Sequence, residues 1–350
     1  MKTTNDQETG MSTLSTITDI APGGRLGQNG STDPSLTTDT VAVLYENSEW
    51  MDSLFVAMDR RGVRYEGINL ADSAFRLGRS DDYPLVINRV SPSAHIRGHG
   101  SAIPLVRGWL EMLERSGKRV INGARSFRFE TSKVAQYQLI GDLGLPLPAT
   151  LVFNDRTAVR GLVGDFPFPA ILKPETGGSG AHVRLVPSRA ALEHLLDTEA
   201  DLFGPDHVLL LQQFVSSGDG SILRTEFVDG ELLFAMRVWP NNTFNLCPAE
   251  GCERPPADAD ADAVPEVVFE YEPDIPDEAV AQAREIVRAA GIDVGGVEYI
   301  ETPAGERYFY DINSTSVYRP DIVAASGIDA DDKLARFIER EARKEQRKLW

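Results

Sequence analysis

The segment 168–183, FPAILKPETGGSGAHV, constrains the fold and chemistry of this chain more than any other segment. An apolar run delivers one lysine, Lys173, and a second apolar run begins at the far end of the segment. Between them lies a glycine loop, made of Gly177, Gly178, Ser179 and Gly180. The pattern predicts a strand, a flexible turn and a second strand.

Such a turn has a chemical use as well as a structural one. Backbone N–H groups of a glycine loop can lie against phosphate oxygens, and a lysine on the adjoining strand supplies a point charge. The segment lacks the Gly-Lys-Ser/Thr of a Walker A loop and is not a GxGxxG at a helix start. A plain glycine hairpin with a surface lysine is the alternative interpretation.

The overall charge excludes some partners. The chain has 350 residues, enough for two or three domains, and a formal net charge of −18. This charge argues against binding nucleic acid or an anionic membrane through the general field, so an anionic ligand would need local cations and metal ions. No apolar run approaches the ~20 residues of a membrane span. The two cysteines, Cys247 and Cys252, form no disulfide framework and fit a reduced cytoplasm.

The N-terminal third of the chain changes character near residue 40. Residues 1–39 are rich in small polar residues and are predicted to be a disordered extension. Strands and helices then alternate over 40–123, which predicts a small open α/β sheet. Such sheets bind ligands beyond the carboxyl ends of their strands, where Arg89 stands in INRVSPS. Arg89 is therefore a candidate substrate residue, with a surface arginine as the alternative.

A second lysine stands at the start of a predicted helix, Glu130–Leu143. Thr131 or Ser132 is its expected N-cap, which places Lys133 in the first turn. A lysine there is unfavourable to the helix dipole, and this position makes better sense if Lys133 points at a bound phosphate.

Two hairpins supply the remaining polar groups. The first surrounds Asp229-Gly230 and carries Arg224 and Arg237. The second carries three oxygen donors, Glu298 on its first strand and Asp311 and Asn313 on its second. Residues two apart on a strand face the same side, so Asp311 and Asn313 point together and Glu298 can meet them across the hairpin. Two carboxylates and an amide oxygen suit Mg²⁺, although two surface acids and a turn asparagine are the alternative.

In this order, the parts resemble the ATP-grasp superfamily. Within it, the chain is similar to the branch holding the ribosomal-protein glutamate ligase, the lysine-biosynthesis carrier-protein ligase and the glutathione synthetases. The resemblance rests on ILKPETGGSG followed by DIN and covers about Val41 to Glu341. It implies an α/β (α+β) fold with an N-terminal open α/β domain, residues 40–123, and an ATP-grasp domain, residues 124–345. The latter would comprise a small lobe at about 150–210 and a C-terminal lobe at about 211–345.

The resemblance also implies roles for individual residues. Lys133 and Lys173 would bind phosphates of ATP, and the glycine loop would fold over them. The adenine hinge would be Gln212, Gln213, Phe214 and Val215. The ligands of Mg²⁺, with Mn²⁺ as an alternative metal, would be Glu298, Asp311 and Asn313. An arginine would meet an acyl phosphate, and we expect this to be Arg237. Arg224 is a further candidate because related ligases carry an arginine in this hairpin, but its position is offset by one residue, which on a strand reverses the face. The candidate substrate residues are Arg89, Ser314 and Arg319, and a surface ion pair is the alternative for Arg319.

The expected function is an ATP-dependent carboxylate–amine ligase. It would form an amide bond through an acyl phosphate, on an amino acid or peptide. A ligase linking side chains of a ribosomal precursor peptide is one alternative, and a nucleotide-binding regulatory module without turnover is another. The expected partners are a small acid and a small amine. The resemblance implies a homo-oligomer, and the expected location is the cytoplasm.

Overall fold

The computed structural model describes residues 39–75, 77, 83–200, 202–204, 206–240 and 267–348. The predicted N-terminal extension, apart from residue 39, and both cysteines lie outside these ranges. The described residues form three sheets, which come in sequence order along the chain. The division into domains at the predicted boundaries stays a prediction.

The first sheet is parallel and has four strands in the order β2-β1-β3-β4. Its strands are β1 (Val41–Tyr45), β2 (Tyr65–Asn69), β3 (Leu85–Asn88) and β4 (Arg119–Ile121), connected by α1 (Asp52–Arg60) and α2 (Ala102–Arg115). β1 and β3 are apolar along most of their length and buried throughout, because helices cover both faces of a parallel sheet. The alternation therefore produces the predicted open α/β sheet.

Two short helices lead from this sheet to the second one. They are α3 (Ala124–Glu130) and α4 (Lys133–Asp142). The predicted helix, Glu130–Leu143, corresponds to α4, whereas Glu130 ends α3. Ser132 caps α4 by accepting a hydrogen bond from the Ala135 N–H at 3.1 Å. The cap confirms the expected start of the helix and puts Lys133 in its first turn.

The second sheet is antiparallel, with the strand order β5-β8-β6-β7. It contains β5 (Thr150–Phe153), β6 (Ala170–Pro174), β7 (Arg184–Val186) and β8 (Leu209–Gln213), with α5 (Arg156–Arg160) and α6 (Arg189–Thr198). β6 and β7 are the two strands predicted on either side of the glycine loop.

The third sheet has five antiparallel strands in the order β11-β10-β9-β12-β13. Its elements are β9 (Ile222–Val228), β10 (Glu231–Trp239), β11 (Val268–Tyr271), α7 (Asp277–Ala290), β12 (Val294–Glu301), β13 (Arg307–Asn313), α8 (Pro320–Ser326) and α9 (Ala330–Lys348). One face of the sheet packs against α4 and α7, and the other contributes to a core shared with the first sheet, α1 and α9. Both faces are therefore covered, which explains why all seven residues of β9 are buried.

In the part of the chain that the structure describes, no helix is both long and apolar enough to cross a membrane.

Candidate active site

One cleft, of about 290 Å³, receives side chains from the second and third sheets and from loops that follow strands of the first. Most of the predicted site residues line it: Lys133, Lys173, Gly177, Gly178, Ser179, Gly180, Gln212, Gln213, Phe214, Val215, Arg224, Glu298, Asp311 and Asn313. Residues separated by up to 180 positions in the chain thus meet in one place.

The two lysines have contrasting environments. Lys173 is 6% exposed, and its ammonium donates to the Tyr137 hydroxyl and, at 2.9 Å, to the Gln212 side-chain oxygen. Burial, reinforced by the charge of Lys133, lowers the pKa of Lys173 to about 7. Burial also opposes the charge of Lys133, but its ion pair with Asp311 at 2.7 Å outweighs this, and the pKa of Lys133 is raised.

A single carboxylate joins the two segments that carry these lysines. Glu175, two residues after Lys173, accepts hydrogen bonds from the Ser132 hydroxyl and, at 2.9 Å, from the Val134 N–H. A carboxylate at the start of α4 satisfies N–H groups that lack helical partners. Glu175 thereby fixes the position of Lys133 relative to β6.

The glycine loop packs against the first sheet's loops. A Cβ atom at Gly178 would lie 3.0 Å from both the Cβ and the backbone N of Ser93. Ser93 belongs to the short 3₁₀ helix Pro92–Arg97, which follows β3 and lines the cleft. The absence of a side chain at position 178 is what permits this approach.

The end of β8 forms another wall. The Gln213 N–H donates to the Ala149 carbonyl at 2.8 Å, and the Phe214 N–H donates to the Pro169 carbonyl at 2.9 Å. Gln212 turns inward, where its amide bonds Lys173 and, at 3.1 Å, the Thr150 hydroxyl. The backbone after β8 is therefore held firmly beside the cleft.

The three predicted metal ligands lie together on the second hairpin. Glu298 and Asp311 are cross-strand partners in the β12–β13 ladder, and the Asn313 amide donates to Asp311 at 3.2 Å. The Glu298 carboxylate accepts from Arg224 and from the Tyr310 hydroxyl, each at 2.7 Å. Burial raises the pKa of Glu298, whereas nearby cations outweigh burial at Asp311 and lower its pKa.

Arg224 lies at the centre of a buried network. Its guanidinium donates to Glu226 at 2.6 Å, to Glu298 at 2.7 Å and to the Ser316 hydroxyl at 3.2 Å. Burial disfavours its charge, but the two carboxylates outweigh burial and raise its pKa. Glu226 is completely buried and also accepts from Ser316 at 2.6 Å. Glu226 stands beside Arg224 in the sequence of the first hairpin but received no predicted role, although its spacing of two from Arg224 puts both on one face of β9.

Arg237, the preferred arginine for an acyl phosphate, does not line the cleft as the structure describes it. It pairs with Glu272 at 2.8 Å and reaches the cleft wall only through Ser221, whose hydroxyl it contacts at 2.9 Å. On β10, Met236 is the cross-strand partner of Arg224, so the adjacent Arg237 points to the other face of the sheet. The preference for Arg237 over Arg224 therefore has no support from the geometry.

The three candidate substrate residues also lie outside the described lining of the cleft. Arg89 is buried and donates to the Ser316 carbonyl. The Ser314 N–H donates to Glu130, and Arg319 pairs with Asp321 at 2.8 Å. Arg89 and Ser314 thus form hydrogen bonds that hold the loop after β13, and Arg319 forms an ion pair just beyond that loop.

Glu130 and Tyr310 are among the cleft residues that were not predicted. Burial raises the pKa of Glu130 to about 7. The Tyr310 hydroxyl bonds Glu298, and burial raises the pKa of Tyr310. In the sequence, Tyr310 is one of the apolar residues that flank the metal hairpin, and only the bulge that follows Glu298 in the register brings it into the cleft.

Comparisons with known proteins place this geometry in context. No protein-family model matches the chain. A probable alpha-L-glutamate ligase of Aeromonas salmonicida (strain A449) is 24% identical over 290 residues, which cover 82% of this chain and 84% of that protein.

Two solved structures resemble this chain along most of its length. The RimK domain protein ATP-grasp from Sphaerobacter thermophilus DSM 20745 superposes with a TM-score of 0.62 at 20% identity, covering 85% of this chain and 98% of the other. ATP-grasp ligase PsnB, complexed with a phosphomimetic variant of its minimal precursor, Mg and ADP, has a TM-score of 0.60 at 19% identity, covering 87% and 99%. The fold is thus the ATP-grasp fold. In sequence, the chain is similar to proteins named probable alpha-L-glutamate ligase, such as those of Aeromonas salmonicida and Thioalkalivibrio sulfidiphilus, each at 24% identity.

Proposed function

We propose that this protein phosphorylates a carboxylate of an amino acid or peptide with ATP and joins the acyl phosphate to an amine. The observation that carries the proposal is the convergence of two lysines, a glycine loop and three oxygen donors on one cleft beside Arg224. In this reaction two anions, ATP and the substrate carboxylate, must approach each other before phosphoryl transfer. The lysines, the metal bound by the oxygen donors, and Arg224 would offset the repulsion between them.

The nucleotide would lie between the second and third sheets. Lys133 and Lys173 would bind its phosphates, and the N–H groups of the glycine loop would cover them and exclude water. The adenine would bind at the backbone of the hinge, residues 212–215. A low pKa at Lys173 suits this role, since a phosphate restores the charge that burial disfavours.

The donor set fits Mg²⁺ shared with a nucleotide. Among the described residues, no cluster of three or more His, Cys, Asp or Glu side chains could hold a metal alone. Glu298, Asp311 and Asn313 offer two carboxylates and one amide oxygen, and Mg²⁺ commonly takes few protein ligands and completes its shell with phosphates and water. When bound, the metal would offset phosphate charge during transfer.

The reaction needs two bond exchanges. A substrate carboxylate oxygen bonds the γ-phosphorus of ATP as the bond to ADP breaks, giving an acyl phosphate. The amine nitrogen then bonds the carbonyl carbon, inorganic phosphate leaves, and the nitrogen loses a proton. We assign to Arg224, rather than to Arg237, the role of offsetting the negative charge of the acyl phosphate, because Arg224 lines the cleft and Arg237 does not.

The acceptor is a free amino acid or a peptide. The likeness to PsnB in complex with a minimal precursor favours a ribosomal precursor peptide as the second candidate substrate. The third hypothesis, a module without turnover, is disfavoured because both lysines, both carboxylates and the asparagine lie together in the cleft.

Product analysis tests the proposal. Purified protein would be incubated with ATP, Mg²⁺ and pooled amino acids and peptides, and ADP release and product masses would be measured. We expect ADP only when an acid is present, together with a product lighter than its two substrates by one water. Lys173→Ala should abolish ADP release while the exposed Lys333→Ala on α9 retains it. Tight ATP binding without ADP release for any acid would instead favour the regulatory module.

A further inference from the structure

The wall of the cleft nearest the first sheet contains an aromatic side chain that the proposed chemistry does not use. Trp50 follows β1, lines the cleft and is partly buried against the core shared with the third sheet. The Arg97 guanidinium stacks on its indole, 4.3 Å from the ring centroid. Of this pair, only Trp50 belongs to the described lining. The stacking holds the indole in one orientation.

Arg97 is itself fully engaged. It forms an ion pair with Glu46, whose side chain is 0% exposed, and donates to the Ser93 hydroxyl at 3.1 Å. His99 contacts the same carboxylate at 3.2 Å. The charge of Arg97 is therefore neutralised behind the indole. Trp50 therefore offers its apolar surface, and not the charge of Arg97, to a ligand in the cleft.

The third sheet contributes further apolar side chains to the lining of the same cleft. Ile222 lines the cleft and belongs to the core cluster against which Trp50 packs. Its cross-strand partner is Val238, and Pro240 follows two residues later, also lining the cleft. Arg224 lies two residues further along β9, so it shares the face of Ile222. An acid whose carboxylate meets Arg224 would have its side chain near Ile222.

We infer that the acid substrate is an amino acid or peptide with an aromatic or large aliphatic side chain, bound in an apolar subsite formed by Trp50, Ile222 and Pro240. This inference rests on the proposed function, because Arg224 fixes where the carboxylate lies. In the described lining of the cleft the cationic side chains are Lys133, Lys173 and Arg224, and the proposed chemistry engages each of them. An acidic substrate side chain would thus be desolvated against this wall without a cationic partner, which is costly.

Equilibrium binding tests the subsite without requiring turnover. Phenylalanine, leucine, alanine and glutamate, each also as a Gly-X dipeptide, would be titrated calorimetrically into protein holding AMPPNP and Mg²⁺. We expect phenylalanine and leucine forms to bind about tenfold or more tightly than alanine or glutamate forms, since an apolar pocket discriminates by roughly 10- to 200-fold per group. Trp50→Ala should remove this preference, and Trp50→Phe should retain most of it.

Phe55→Ala is the matched control. Phe55 packs against the same core cluster as Trp50 but lies outside the described lining, so its removal tests a merely structural effect. AMPPNP affinity, measured for all variants, reports whether the rest of the site is intact. Equal or tighter binding of the glutamate forms, no binding of any apolar form, or an unchanged preference in Trp50→Ala would overturn the subsite. Absence of ADP release with an acid that does bind would overturn the proposed function and leave the subsite standing.

Discussion

Glu226→Gln is the substitution that tests most directly how this site is built. Glu226 is completely buried, and its two oxygens accept from Arg224 and from Ser316, each at 2.6 Å. Arg224 also pairs with Glu298, which is a proposed metal ligand. Once a metal engages Glu298, Glu226 would be the remaining carboxylate that orients Arg224. Glu226 is therefore a positioning residue in our proposal.

The contacts of Glu226 allow the effect of Glu226→Gln on stability and on kcat to be estimated. Two unit charges about 4 Å apart attract by about 4 kcal/mol at an effective dielectric constant of about 20. Glutamine removes that attraction, keeps an acceptor for the hydrogen bonds, and avoids the cost of burying a carboxylate. Removing one partner of a buried pair costs about 3–5 kcal/mol, and we expect about 3 kcal/mol because Arg224 keeps Glu298. Removing a charge-stabilising donor costs about 10²–10³ in kcat, so misplacing Arg224 should lower kcat by about tenfold to a hundredfold.

Denaturant unfolding would measure the stability loss, and ADP release would measure kcat and KM. Nucleotide affinity should change little, because neither proposed phosphate lysine contacts Glu226. Glu231→Gln, at an exposed position on β10, is the matched control. Gly296→Ala provides an independent test, since its Cβ would lie 2.9 Å from the Glu226 carboxylate and displace it. Wild-type kcat in both Glu226→Gln and Gly296→Ala would refute the positioning role.

Three shorter predictions concern the nucleotide and the metal. The pKa of Lys173 is about 7, and a bound phosphate favours its protonated form, so ATP affinity should fall by up to about tenfold per pH unit above pH 7, with proton uptake on binding. Calorimetry in buffers of different ionisation enthalpy measures both the affinity and the proton uptake. An affinity that does not change with pH would contradict the prediction. Gly178→Ala should raise the KM for ATP by pushing the loop away from Ser93, whereas Gly164→Ala, which meets nothing within 4 Å, should not. Asp311→Asn should abolish ADP formation without unfolding the protein, as judged by circular dichroism; full activity would sink the metal assignment.

The fold was predictable because local patterns and the order of elements agree. The lysine after an apolar run, the glycine loop and the DIN segment each fix a local structure, and together they indicated the ATP-grasp fold, which the comparisons confirm. The proposed role of Lys133 as a phosphate ligand was predictable because a cation in the first turn of a helix is unfavourable to the helix dipole unless it has a bound anion to contact. The Ser132 cap resolves where that helix begins.

The arginines show where sequence reasoning ends. Which face of a strand a residue occupies depends on register, and one residue reverses it. A register shift between Leu232 and Phe234 intervenes between Arg224 and Arg237, and spacing along the hairpin does not reveal such a shift. Glu226 was missed for a related reason. An acid within a β-rich run is ordinarily solvent-facing, and only coverage of both faces of β9 turns it into a buried partner of Arg224.

The ion pairs of the cleft explain how so many charges can be buried together. Lys133 pairs with Asp311 and Arg224 with Glu298, so two of the three proposed phosphate or acyl-phosphate ligands are each paired with a proposed metal ligand. Binding of a metal alone would take Asp311 from Lys133 and Glu298 from Arg224, which would keep Glu226. Binding of a phosphate alone would take the two cations from Asp311 and Glu298, and either loss of a buried partner carries a desolvation cost. Metal and nucleotide arriving together would exchange both pairs, Lys133–Asp311 and Arg224–Glu298, for new ones. The same charges that make the site stable without ligands therefore make its two ligands depend on each other.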